Sequence, residues 1–111
     1  MTSSRPEPLD VLVVHVPTDS TDEVLAALFA AGAGAVGEYR ECAFVIPGRG
    51  QFRPVGSATP TIGEVGDLTR VAEDRAEITF PRSLRAQVVA ALRGAHPYEE
   101  PSFHVLENVA D

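Results

Sequence analysis

Three histidines, one cysteine and two adjacent glutamates are the side chains of this 111-residue sequence that chemistry would draw on first. Neutral imidazoles bind divalent metals, but a site needs two or three ligands that converge. His15, His96 and His104 offer neither the i, i+4 spacing of a helical metal pair nor the H-x-H spacing of a strand pair. Structural or surface roles fit that spacing better. Cys42, within RECAFVI, would act as a nucleophile only beside a histidine in an activating environment. A lone thiol in an apolar strand is otherwise a small core residue, and a single cysteine excludes an intrachain disulfide.

The segment HPYEEP at 96–101 is the most unusual local sequence. Pro97 stops a helix and Pro101 fixes the approach to the next strand. Glu99 and Glu100 point to opposite sides of an extended backbone, so they do not form an acid/base couple by themselves. The segment reads equally as a rigid connector that packs Tyr98 and as a ligand or metal contact through His96, Glu99 or Glu100. GAGAVG at 32–37 matches G-x-G-x-x-G literally, but it follows a helix and leads into a strand. A phosphate-binding turn has the opposite order, so a helix end and tight turn are expected here.

The elements that must position these residues follow from periodicity. Leu9 to Val16 is a β-branched run ended by Pro17, apolar on both faces: Val11 and Val13 on one, Leu12, Val14 and Val16 on the other. Ser20 and Glu23 fit a capping box before a helix carrying Val24, Leu25, Leu28 and Phe29, which should end near Gly32. Tyr39 to Ile46 reads as a second strand stopped by Pro47 and Gly48. Residues 47–66 are rich in proline and glycine, a long arm whose Phe52, Val55, Ile62 and Val65 suggest packing. Leu68 to Phe80 is a third strand. Leu84, Val88, Ala91, Leu92 and Ala95 mark a second helix with Gly94 near its end, and Ser102 to Val109 a fourth strand.

The expected fold is therefore α+β, a ferredoxin-like βαββαβ sandwich. It has an antiparallel sheet, two helices on one face and a long arm between the second and third strands. Residues 1–8 form a flexible leader and 9–111 a single domain, which together look like a complete small gene product. Two helices cover one sheet face only, yet the first strand is apolar on both, so the other face is expected to mediate self-association. A net charge of −7, with sixteen acidic residues against nine basic ones, argues against nucleic acid. No run is long enough to span a bilayer and none resembles a signal peptide, so a cytoplasmic protein without membrane contact is expected.

Several motifs taken together in order, GAGAVGEYRECAF (32–44), GRGQFRP (48–54), ATPTIGEVG (58–66), EDRAEITFP (73–81) and AHPYEEPSFHV (95–105), resemble one family pattern. It is the inserted CutA/PII-like domain of the NIF3-like dinuclear-metal proteins, and the likeness runs over roughly residues 9–107. HPYEEP alone is also similar to a stretch of CutA proteins. One departure is Glu38, where the pattern more often has Asn. The resemblance implies a fold that trimerises through its sheets. It implies no metal ligand for this chain, because the family's ligands lie in flanking segments that it lacks, and therefore no inherited hydrolase or cyclohydrolase activity.

These readings lead to a non-enzymatic homotrimer of unknown process, with no catalytic and no cofactor-binding residue. It would act by binding a small ligand or a partner protein, with His96, Tyr98, Glu99, Glu100, His104 and Cys42 as candidate ligand or interface residues. One alternative is a divalent-metal protein with sites at subunit clefts. Another is a PII-like small-molecule sensor, against which the arm offers only Arg49 and Arg53 to a phosphate.

Overall fold

The computed structural model describes residues 7–108. Four strands and two helices follow in the order β1 (Leu9–Pro17), α1 (Thr21–Ala30), β2 (Phe44–Phe52), β3 (Thr69–Pro81), α2 (Arg85–Ala95) and β4 (Phe103–Leu106), with a short 3-10 turn before each helix. The sheet is antiparallel in the order β2-β3-β1-β4. This is the ferredoxin-like α+β sandwich. Both helices pack on one face, where Leu12, Val14 and Val16 of β1 and Ala76, Ile78 and Phe80 of β3 meet Val24, Leu28, Val88 and Leu92. The two-residue alternation of a strand places those β1 and β3 residues on a single face.

Helix α1 ends as expected, on Gly32 at φ +104°. Its N–H donates to Phe29 O and the N–H of Ala33 to Leu28 O, the paired bonds of a Schellman turn. The start of α1 differs from expectation. Ser20 makes no side-chain cap, because the chain enters through the 3-10 turn Thr18–Ser20. Instead the Thr21 hydroxyl donates to buried Asp74 of β3 at 2.6 Å, tying the helix start to the sheet. Gly94 lies inside α2, whose C-cap is His96.

The second strand also departs from the sequence reading. It begins at Phe44 and runs through Pro47 and Gly48 to Phe52, in register with Glu77 to Thr69 of β3. Pro47 is tolerated because β2 is an edge strand, where a missing N–H costs least. Tyr39 belongs to a separate tight turn, bridged to Val36. β3 outruns β1, so the β2–β3 ribbon projects as the expected arm and the described chain is elongated, 62 × 23 × 23 Å. β4 is shorter than Ser102 to Val109, and Val109 lies outside the described residues.

Most of the leader, residues 1–6, also lies outside the described residues. Glu7 and Pro8 are tied down: the Glu7 carboxylate accepts from Ser83 N–H and Pro8 O accepts from Arg82 N–H. Beside them, the fully buried Asp10 receives both arms of the Arg82 guanidinium at 2.9 Å. Asn108 N–H donates to Asp10 at 3.0 Å, and Arg85 approaches at 3.5 Å. One buried carboxylate thus clamps both ends of the described chain to the start of α2.

A candidate functional site at the base of the arm

The connector from α2 to β4 is built from outside contacts rather than from its own prolines alone. His96 is buried, its Nε2–H donating to His15 O at 2.7 Å while its Nδ1 accepts from Tyr98 N–H at 3.1 Å. Those two bonds fix the Nε2-protonated tautomer and occupy both ring nitrogens. Tyr98 donates its hydroxyl to Glu73 Oε2 at 2.8 Å and sets its ring edge-on to Phe52, with centroids 5.7 Å apart. Burial first, and then the bond to Glu73, push the Tyr98 phenol well above its ordinary range, so it acts as a donor throughout the physiological range.

The end of the arm folds back onto the same connector. Thr59 gives its N–H to Glu99 Oε1 and its hydroxyl to Glu99 Oε2, both at 3.1 Å. The Thr61 hydroxyl donates to Pro97 O at 2.7 Å. The loop between 54 and 66 is closed at its neck by Gly66 N–H to Pro54 O at 2.7 Å and by Arg53 to Gly66 O at 2.6 Å. A Cβ at Gly50 would meet the Glu73 carboxylate, which would have to swing from its place beside Tyr98.

Two concavities adjoin this point and share Gln51, Glu73 and Ser102. The first, about 430 Å³, opens on the helix-free sheet face between Ile46, Gly48 and Arg75 on one side and His15 and Ser102 on the other. There the His15 ring and the Ser102 hydroxyl share a hydrogen bond of 3.1 Å. The second, about 390 Å³, lies between the arm's end loop and the connector.

The residues singled out in the sequence divide between structure and surface. The connector does gather His96, Tyr98 and Glu99, but each is already engaged within the chain. Glu100 is exposed beside them. His104 stands on the helix-free face opposite Val13, away from the connector's internal bonds. Cys42 is half-buried in the bend before β2, not inside the strand, and its Sγ lies 3.8 Å from Arg40 O. No group of three His, Cys, Asp or Glu side chains able to hold a metal ion occurs among the described residues. Glu73, Thr59 and Thr61 are site residues that sequence reasoning missed. The strand alternation that puts Glu73 on the helix-free face was the one available signal.

The helix-free face carries two apolar strips. Leu106 and Val11 form one, with Val13 buried beneath, and Phe44 and Ile46 the other, separated by the Arg75–Glu77 ion pair. Phe44 is 61% exposed and Leu106 49%. No helix among the described residues is long and apolar enough to cross a membrane.

Fold and arm together define a ferredoxin-like domain extended by a β2–β3 arm. No family model matches the chain. A GTP cyclohydrolase 1 type 2 homolog of Mycobacterium tuberculosis is 50% identical over 97 residues, 87% of this chain and 26% of that protein. The Bacillus subtilis protein of the same name is 46% identical over 99 residues, 89% of this chain and 26% of its own. Among solved structures, a Bacillus cereus protein related to NIF3 superposes with a TM-score of 0.80 at 38% identity, over 98% of this chain and 28% of that one. CutA1 from Oryza sativa superposes at 0.69 and 18% identity, over 97% and 86%, a likeness of fold. The chain is thus similar to one part of the NIF3-related proteins and shares the fold of CutA1, and it spans about a quarter of the length of the curated relatives it matches.

Proposed function

We propose that the chain is a non-enzymatic, cytoplasmic CutA-like module that assembles as a homotrimer through its helix-free sheet face and acts by binding a small ligand or a partner protein. One observation carries this reading: Phe44, Ile46 and Leu106 are exposed on a face whose first strand is as apolar as the face packed against the helices. Exposed apolar strips of this kind are favourably buried against another surface, at roughly 25 cal/mol per Å² removed from water, and the Arg75–Glu77 pair between them is already neutralised within the chain. Sedimentation equilibrium at micromolar concentration tests it, with three chain masses expected and one chain mass refuting it.

A second reading, a divalent-metal protein with sites at subunit clefts, draws on His15 and His104, which stand on this same face of neighbouring strands. It draws less on His96 and Glu99, whose acceptor atoms already serve Tyr98 and Thr59. Titration calorimetry with zinc, copper and cobalt separates the readings: binding no tighter than millimolar removes the metal role. A PII-like sensor of phosphates has least support, since the arm brings only Arg49 and Arg53 to a phosphate, and Arg53 already gives one donor to Gly66 O.

A further inference from the structure

We propose that the cavity between the arm's end loop and the HPYEEP connector is a binding site for a small organic cation, an ammonium or guanidinium group carried on an apolar body. This deepens the binding role proposed above by naming a ligand class. The cavity of about 390 Å³ falls within the roughly 300–1,000 Å³ range of small-molecule sites. Its walls are set by two elements that already hold each other, through the paired bonds of Thr59 to Glu99 and the bond of Thr61 to Pro97. A site walled in this way is largely formed before its ligand arrives.

The lining chooses the ligand. Val55, Pro60 and Ile62 from the loop line it together with Phe52 and Tyr98, an open apolar wall that includes two aromatic rings. Such walls favour a hydrocarbon or aromatic body, and ring faces attract cations. The charged groups at the rim are three carboxylates, Glu73, Glu99 and Glu100, against one guanidinium, Arg53, whose Nη1 is held by Gly66 O. Glu100 makes no hydrogen bond or ion pair within the described chain. Each ionised carboxylate accepts more bonds than the single donors that Tyr98 and Thr59 give each oxygen. An anion meets net repulsion here. The lining offers no imidazole or thiolate to a softer metal ion, and no group of three His, Cys, Asp or Glu side chains able to hold a metal occurs among the described residues.

Calorimetry on the full chain with matched probes tests the site: phenethylammonium, the neutral 2-phenylethanol, phenylacetate, and zinc chloride. Phenethylammonium is expected to bind at about millimolar affinity, fitting a ligand of its size, and the alcohol and phenylacetate at least tenfold more weakly. Glu100→Gln, at an exposed residue without partners among the described residues, should weaken the ammonium several-fold with unfolding unchanged. Ile62→Asp should weaken it further. Equal binding of alcohol and ammonium, tighter binding of zinc or phenylacetate, or no saturable heat with phenethylammonium would each overturn the proposal. The trimer is judged by mass and this site by titration, so either can fail alone.

Discussion

Asp10 is the residue on which the two ends of the described chain depend. Hydrogen bonds from Arg82 pull its carboxyl down to about 2, against the opposing effect of burial, with Asn108 N–H adding to the pull. Because the folded pKa lies below the ordinary aspartate value near 3.9, the stabilisation is complete above that value. It is lost as pH falls towards about 2. Asp10→Asn keeps the shape and removes the charge, leaving Arg82 and Arg85 without their shared partner. It should cost about 2–3 kcal/mol in urea unfolding at neutral pH, below the full penalty of a broken buried pair because both arginines are partly exposed. The gap between the variant and the parent should close between about pH 5 and pH 2, and a gap that persisted unchanged would contradict the assignment. Tyr98→Phe removes one hydrogen bond and keeps the ring against Phe52. About 1 kcal/mol of stability should be lost, read from the same unfolding curves.

Among the elements, the arm's end loop and the connector behave as one unit held by exposed hydrogen bonds. Bonds of that kind contribute little to global stability and open first. Glu99→Ala should therefore speed hydrogen exchange at the Thr59 amide at least tenfold while shifting unfolding by no more than about 1 kcal/mol. Unchanged exchange would show that the loop is held by something else. The connector stood out in the sequence through its paired prolines and its carboxylates, but what it touches did not. Its partners Glu73, Thr59 and Thr61 lie 25, 40 and 36 residues away, and no local pattern encodes such pairings. The course of β2 was hidden for a different reason. Pro47 and Gly48 carry a stop signal that only an edge position overrides, and the edge is set by strand order. Likewise Ser20 has the right identity for a cap, yet a buried bond to Asp74 decided how α1 begins. By contrast, the two-sided apolar character of Leu9 to Val16 and the glycine end of α1 are local properties, and both were legible directly.

For the whole molecule, the decisive feature is the sheet face that no helix covers. Phe44 and Ile46 flank one side of it and Leu106 with Val11 the other, with Arg75 and Glu77 paired between them. Phe44→Asp places a charge on this face without touching the helix-side core, so the monomer should stay folded while assembly fails. Size-exclusion elution at the position of one chain, with an unchanged far-ultraviolet spectrum, is the expected result; an unchanged elution volume would locate the interface elsewhere. The most direct test of the central claim is sedimentation equilibrium of the unaltered chain at micromolar concentration. A single species of three chain masses is the predicted result, and a monomer that persists across the concentration range would contradict the account.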